Sequence, residues 1–114
     1  MPLPKLEQKL TEESLSRFCE SRVPSHLRDK IRMGFHFRAT TALIYETRPS
    51  YFDVSKWIEH PVAKFRYHLG ARHWTLFWCD RNQKWHLYNQ IKPAKSLQTL
   101  LDEVTRDPTH IFWG

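Results

Sequence analysis

Residues 62–89, with the sequence VAKFRYHLGARHWTLFWCDRNQKWHLYN, decide the fold of this chain. Bulky apolar side chains alternate with polar ones in three runs, at residues 62–69, 72–80 and 84–89. Alternation with a period of two is typical of strands that bury one face, and the intervening links are short enough for hairpins. The stretch therefore predicts a three-stranded antiparallel unit.

Two-residue links at Gly70-Ala71 and Arg81-Asn82 set the register of this unit, with Leu69 opposite Arg72 and Asp80 opposite Gln83. The side chains then separate onto two faces. One face is almost purely apolar and is predicted to be core; it consists of Ala63, Phe65, Tyr67, Trp74, Leu76, Trp78, Trp85 and Leu87. The other face combines cations with aromatic rings and has no carboxylate; it consists of Lys64, Arg66, His68, His73, Thr75, Phe77, Lys84, His86 and Tyr88.

The preceding part of the chain predicts two more strands. Apolar and polar residues alternate over residues 31–38, and a second strand over residues 42–48 follows the tight link Ala39-Thr40. Pro49 ends this second strand, because a proline restricts the residue before it and has no N–H to pair.

Residues 49–60 show neither the helical nor the strand period and predict a loop. We expect Tyr51, Phe52 and Trp57 to anchor this loop over the sheet edge, although loops of this length often carry function instead.

A helix is predicted on each side of the strands. Thr11 is a suitable N-cap for the first helix, so residues 1–10 are expected to be a flexible arm and residues 11–114 a single α+β domain. Pro24 ends this helix. Its apolar stripe consists of Leu15, Phe18 and Cys19.

The last helix is predicted to begin after Ser96 and to end before Asp107-Pro108. Its buried side consists of Leu97, Leu100, Leu101 and Val104. Beyond it we expect Phe112 and Trp113 to fold back on the sheet, with an exposed docking peptide as the alternative. The fold class is α+β, an antiparallel meander sheet of about five strands with an N-terminal and a C-terminal helix packed on one face.

The composition favours an anionic partner. The 114 residues have a formal net charge of +6, from 18 Lys and Arg against 12 Asp and Glu. Nucleic acid or another polyanion fits this excess, although many proteins use such an excess for solubility alone. Cys19 and Cys79 form no C-x-x-C pair, and no stretch is apolar enough for a leader or a membrane span. We therefore expect a reduced, cytoplasmic protein with no membrane contact and no cofactor.

The basic face of the three-stranded unit is the first candidate site. Lys and Arg can hold phosphates while an aromatic ring stacks on an unpaired base, so the pattern fits single-stranded nucleic acid. The candidate binding residues are Lys64, Arg66, Lys84, His86 and Tyr88. A solvated polar face, which antiparallel sheets commonly have on one side, explains the same pattern without any ligand.

His68 and His73 are the secondary candidates, for catalysis. They are predicted to lie opposite each other across the hairpin, with Arg66 and Tyr88 nearby. An acid, a base and a cation are what metal-independent RNA cleavage needs. The group is incomplete, because the register places His86 several positions away from it.

A metal site is not predicted, since the histidine pair lacks further ligands unless the loop supplies Asp53 or His60. Glu46 and Arg48 are expected to form a partly buried ion pair rather than a catalytic group. The sequence has no phosphate-binding glycine loop and no nucleophile-elbow motif.

Several strings in the chain resemble a bacterial family known only as domain of unknown function 3024. They are Arg22-x-Pro24, Arg48-Pro49, Ala63-Lys64-Phe65-Arg66-Tyr67, Trp74-x-Leu76-x-Trp78-x-Asp80-Arg81-Asn82-x-x-Trp85-His86-x-Tyr88, Asp107-Pro108 and Ile111-Phe112-Trp113-Gly114. The resemblance implies a bacterial, stand-alone cytosolic protein, and it brings no activity or catalytic residues. A non-catalytic module that binds nucleic acid is therefore the first hypothesis. A metal-independent ribonuclease-like enzyme and a protein-protein interaction domain are the alternatives.

Overall fold

A single meander of strands forms the centre of the molecule. The computed structural model describes residues 3–27 and 29–113, and within them five strands make one antiparallel sheet in the order β1-β2-β3-β4-β5. The elements are α1 (Lys5–Arg22), a 3₁₀ turn (Ser25–Leu27), β1 (Arg32–Arg38), β2 (Thr41–Pro49), β3 (Trp57–His68), β4 (His73–Cys79), β5 (Trp85–Leu87) and α2 (Leu97–Arg106). The predicted fold class is confirmed.

Both helices pack on one face of the sheet, which we call the covered face. Its buried strand residues are Ala42, Ile44, Ala63, Phe65, Trp74 and Leu76. The helices contribute the leucines and valine that the sequence predicted, together with Phe18. In this core the strand rings of Phe65 and Trp74 therefore lie beneath mostly aliphatic side chains from the helices.

Helix α1 begins earlier than the sequence predicted. Because it begins at Lys5, the predicted arm over residues 1–10 is wrong for residues 5–10, and the predicted N-cap at Thr11 is wrong. Residues 1 and 2 lie outside the described part of the chain. Thr11 is buried inside the helix, where its hydroxyl donates to the carbonyl of Glu7 at 2.6 Å. The residues from Lys5 to Leu10 favour helix, so the helix extends through them. The Thr11 hydroxyl bonds to the carbonyl four residues back, as a threonine inside a helix can, and does not cap the helix.

Two hairpins have the predicted register. Arg38 pairs with Thr41 around the link Ala39-Thr40, and Tyr67 pairs with Trp74 in the β3-β4 hairpin. Ala39 and Arg72 adopt left-handed backbone conformations with φ of 54°, which neither residue type favours. The pairing of the strands therefore imposes these turns.

The β4-β5 hairpin differs from the prediction by one residue. Trp78 pairs with His86 and Cys79 pairs with Trp85, whereas the sequence predicted Trp78 opposite Trp85. The physical reason is a longer turn, in which Gln83 takes a left-handed φ of 61° and the Asp80 carboxylate accepts two backbone N–H groups at 2.9 Å. One extra residue reverses the side on which every β5 side chain lies.

The β2-β3 hairpin is longer than predicted. β2 continues to Pro49 and β3 begins at Trp57, so the loop is residues 50–56 only. Tyr51 and Phe52 are 93% and 94% exposed, so the prediction that they anchor the loop is wrong. The two strands pair as far as Pro49 and Trp57, and both rings lie in the exposed tip that remains.

The chain after α2 folds back as predicted. Asp107 ends the helix with a left-handed φ of 43°, and its carboxylate accepts the N–H groups of Phe112 at 3.1 Å and Trp113 at 2.9 Å. The Trp113 indole also donates to the Val104 carbonyl at 2.8 Å. Phe112 is buried against Tyr88, so this segment belongs to the core.

Candidate nucleic-acid interface

The sheet face opposite the helices, which we call the open face, carries most of the candidate residues. Strand alternation and pairing place these side chains on it: Arg32, His36, Arg38, Leu43, Tyr45, Trp57, Glu59, Lys64, Arg66, His68, His73, Thr75, Phe77, Trp85 and Leu87. Among the described strand residues, Glu59 is the one carboxylate on this face, and it lies 3.2 Å from the His36 ring. The open face is therefore basic and rich in aromatic rings.

Lys64 lies between two aromatic rings at the centre of the open face. Its ammonium nitrogen is 5.0 Å from the centroid of Phe77 and 5.1 Å from that of Trp85. Both distances are within the range of cation-π attraction. Partial burial, followed by the charge of Arg66, lowers the pKa of Lys64. The ammonium thus covers two rings and shares its strand face with a second cation.

Trp85 is a residue of this site that the sequence prediction missed. The prediction assigned it to the core, but the longer β4-β5 turn places it on the open face beside Lys64. Asp80 was the available signal, since an aspartate commonly accepts backbone N–H groups two residues on and so stabilises a turn.

Further along the open face, more rings are covered by cations or by histidine. The Arg32 guanidinium lies 4.1 Å from the ring centroid of Trp57. The His36 ring stacks on Tyr45, with 4.6 Å between centroids. These contacts extend the basic, aromatic character of the face from β4 across to β1.

Arg66 is an exposed cation on the open face, as predicted, but three other candidates lie elsewhere. Tyr88 is 3% exposed and points into the core, where its hydroxyl donates to Glu103 at 2.7 Å. His86 lies on the side of Trp78, stacking on it at 4.6 Å and contacting Asp80 at 2.7 Å. Lys84 lies in the turn, one residue out of phase with Trp85. The shifted register therefore removes Lys84, His86 and Tyr88 from the predicted face.

His68 and His73 are paired across β3 and β4, as predicted. Their ring centroids are 5.2 Å apart, and Nε2 of His68 lies 3.0 Å from the Thr75 hydroxyl. Burial is the main cause that lowers the pKa of His68, followed by the charges of His73 and Arg66. A neutral imidazole can accept a proton. Tyr88, which was predicted to lie near the pair, is in the core, so the group is a histidine pair beside one arginine.

Other chemistry has less support in the described residues. Residues 3–27 and 29–113 contain no cluster of three or more His, Cys, Asp or Glu able to hold a metal ion. Burial raises the pKa of Cys19 to about 11 and also raises that of Cys79, so both thiols are protonated near neutral pH. The Arg48 guanidinium donates to Glu46 at 2.6 Å, which confirms the predicted ion pair. In the same part of the chain, no helix combines the length and apolar character needed to cross a bilayer.

The fold and this face define a small α+β protein in which the described helices cover one side of an antiparallel sheet. The chain belongs to the family described as domain of unknown function (DUF3024), whose model matches residues 3–114. This match confirms the resemblance seen in the sequence. A search of curated proteins and a search of solved structures each found no match.

Proposed function

We propose that this protein binds single-stranded nucleic acid on its open face. The observation that carries the proposal is the position of Lys64 and Arg66 beside Phe77 and Trp85 on a sheet face that no described helix covers. Cations attract the phosphates, and exposed ring faces accept unpaired bases.

Single strands are favoured over duplexes because of where the rings lie. Phe77 and Trp85 are on a broad sheet surface, and a base must be unpaired and turned outward to stack on them. When a strand binds, the Lys64 ammonium can move from the rings to a phosphate and leave both rings to the bases. The resting cation-π contact thus keeps the rings covered until a ligand replaces it.

The first test compares two arginines of equal charge. Arg66→Ala removes a cation from the open face, whereas Arg17→Ala removes one from the exposed side of α1, which packs on the other face. Binding of a fluorescein-labelled single-stranded RNA, its DNA equivalent and a duplex is followed by anisotropy over a series of salt concentrations. We expect Arg66→Ala to weaken binding several-fold and to reduce the salt slope by about 0.7 for each lost phosphate contact.

Arg17→Ala is expected to leave binding close to that of the wild type. Equal losses in the two variants would show that net charge alone drives binding, and would overturn the assignment to the open face. Absence of salt-dependent binding by the wild-type protein would overturn the function itself.

The second test separates stacking from charge. Phe77→Ala and Trp85→Ala remove ring faces without changing any charge, so we expect weaker binding with an unchanged salt slope. Loss of one stacked base costs about 1–3 kcal/mol. Full affinity in both variants would leave the strand bound by phosphate contacts only, contrary to the proposal.

The histidine pair favours RNA cleavage as a second candidate function. His68 and His73 face each other at 5.2 Å between ring centroids, with Arg66 paired to the neighbouring Thr75. Such a group can supply a base, an acid and a cation. Labelled RNA incubated with the protein in excess chelator tests this function. Cleavage that is lost in His68→Ala and in His73→Ala supports it, and intact RNA excludes it.

A further inference from the structure

A cavity of about 280 Å³ opens at the edge of the open face, where the chain leaves β5. The side chains that matter for its chemistry are Thr75, Leu87, Asn89, Ile91, Lys92 and Pro93. We propose that this cavity takes one nucleobase of the bound strand. The inference rests on the proposed function and deepens it, since it assigns the site that reads a base.

Two fixed points of the backbone define this cavity. The Tyr88 N–H still donates to the Leu76 carbonyl at 2.8 Å, and the chain returns to β4 where Ala94 and Trp74 exchange two hydrogen bonds of 2.7 and 3.0 Å. Residues 89–93 bow away from β4 between these two points. Because both ends of the bow are fixed, the space beside Thr75 is preformed and binding needs little ordering of the chain.

The lining suits a flat ring with polar edges. Leu87, Ile91 and Pro93 supply apolar walls for the ring faces. Asn89 offers an amide donor, and its oxygen, which accepts from the Gln90 side chain at 3.1 Å, has a second lone pair. An amide donor and acceptor are the pair of groups that proteins commonly use to read a base edge. Lys92 adds a cation for the adjoining phosphate, and no carboxylate is present in the lining. The cavity volume of about 280 Å³ is just below the range of drug-sized ligand pockets, which starts at about 300 Å³, and this suits a ligand as small as one base.

The cavity is continuous with the binding groups of the open face. Thr75 in its wall pairs across the sheet with Arg66, and Leu87 pairs with Phe77. Neighbouring strands are about 4.8 Å apart, so these groups are separated by one or two strand spacings. A nucleic-acid strand with a phosphate bound to Arg66 and a base stacked on Phe77 therefore brings its next base to the cavity. A paired base cannot enter, so the ligand is a strand with at least one unpaired base.

The test uses four RNA probes of equal length: octamers of A, C and U, and an octamer with the same backbone but no bases. Asn89→Trp blocks the mouth of the cavity from an exposed position. Gln98→Trp is the matched control, because it adds the same ring at an exposed position on α2. Anisotropy gives the affinity of each variant for each probe over a series of salt concentrations, and urea unfolding checks that both variants fold.

We expect the wild-type protein and Gln98→Trp to bind at least one base-bearing octamer about tenfold more tightly than the abasic one, from the bases in the cavity and on the rings. Asn89→Trp should reduce this preference several-fold and leave the salt slope unchanged. Asn89→Ala keeps the apolar walls, so it should instead alter the ranking among the A, C and U octamers.

An unchanged preference in Asn89→Trp, or an unchanged ranking in Asn89→Ala, overturns the inference. The proposed function fails in a different way, because then no octamer binds in a salt-dependent manner. If Arg66→Ala weakens binding while both Asn89 variants behave as the wild type, the strand binds on the open face without using the cavity.

Discussion

The two faces of the sheet are both rich in aromatic rings, but different groups cover those rings. On the covered face, Phe65 and Trp74 are at most 2% exposed beneath the two helices. On the open face, Phe77 and Trp85 are partly exposed, and the ammonium of Lys64 lies over them. A helix cannot leave without unfolding the protein, whereas a lysine side chain can move within nanoseconds. The covered face therefore serves stability, and the open face is available to a ligand.

The polar groups of the two faces differ in the same way. The covered face encloses Glu103, which is buried but accepts hydrogen bonds from Tyr88 and Arg106. Within the described residues, no buried side-chain polar atom lacks a hydrogen-bond partner. The polar groups of the open face instead include four cations that are exposed or partly exposed, Arg32, Arg38, Lys64 and Arg66. We therefore expect substitutions on one face to change the free energy of unfolding, and substitutions on the other face to change binding.

The largest effect on the free energy of unfolding should come from replacing one tryptophan on each face with alanine. Trp74→Ala opens a cavity in the core and is expected to lower the free energy of unfolding by about 3–5 kcal/mol. Trp85→Ala removes a partly exposed ring of equal size and should cost about 1 kcal/mol or less. Urea unfolding of both variants measures the difference. Similar losses in the two variants would mean that the open face is part of the core, and the comparison would fail.

Asp107 extends the comparison to the segment that closes the covered face. Asp107→Ala removes the acceptor of two backbone N–H groups and places an alanine at a φ of 43°, so we expect a loss of about 2 kcal/mol. Asp107→Asn keeps one acceptor oxygen and tolerates this φ, and should lose less than half as much. Asp102→Ala on the exposed side of α2 is the control. No loss in Asp107→Ala would show that the last residues do not stabilise the core.

The sequence predicted these faces well where side-chain alternation was the only information needed. Residues of β3 and β4 lie on the predicted sides, because burying one face fixes the register of long strands. The prediction was wrong at β5, since three residues of strand give little pattern and a single extra turn residue reverses it. Gln83 carries no glycine-like signal for its left-handed φ, so its effect on the register cannot be found from residue preferences.

The candidate site was predicted in part for the same reason. Lys64 and Arg66 are on β3, whose register the sequence determined, and the open face contains both. The shift in β5 places Trp85 on the open face and Tyr88 in the core, whereas the sequence predicted the opposite for both residues. The cavity beside Thr75 depends on where residues 89–93 leave and rejoin the sheet. No local pattern in those residues specifies this path.

A smaller effect is expected for the buried hydrogen bond between Tyr88 and Glu103. Tyr88→Phe keeps the ring but removes the donor, so the carboxylate is left with Arg106 and the cost should be about 1–2 kcal/mol. Burial first, and then the hydrogen bond to Glu103, raises the pKa of Tyr88 from 10.0 to about 12. The unfolded state releases this proton first, so the wild-type protein should lose stability as pH rises through this interval.

Tyr88→Phe has no phenol at this position, so it does not lose the stability that the wild-type protein loses when Tyr88 ionises. Its unfolding midpoint should therefore approach that of the wild type at alkaline pH. Urea unfolding at a series of pH values measures the gap between the two proteins. A gap that stays constant up to about pH 11 would contradict the raised pKa and the buried hydrogen bond behind it.

The smallest effect is expected on the open face, at His68. Its pKa is lowered from 6.5, chiefly by burial and then by the charges of His73 and Arg66, so the unfolded state binds this proton more readily. Stability from this group is therefore fully present above pH 6.5 and declines as pH falls through the lowered pKa. The decline should be a few tenths of a kcal/mol, since water reaches much of the site. His68→Gln should remove it, and His26→Gln on an exposed turn is the control.

A bound strand should reverse this behaviour, which makes His68 a reporter of where the ligand lies. Phosphates near the pair favour the protonated imidazole and raise its pKa, so binding should tighten as pH falls towards 6. Chemical shifts of the His68 ring protons, followed over pH with and without a single-stranded RNA octamer, measure both values. A pKa that rises on binding supports a strand on the open face. The same pKa with and without RNA would place the strand away from this pair, and the two faces would then differ in burial but not in binding.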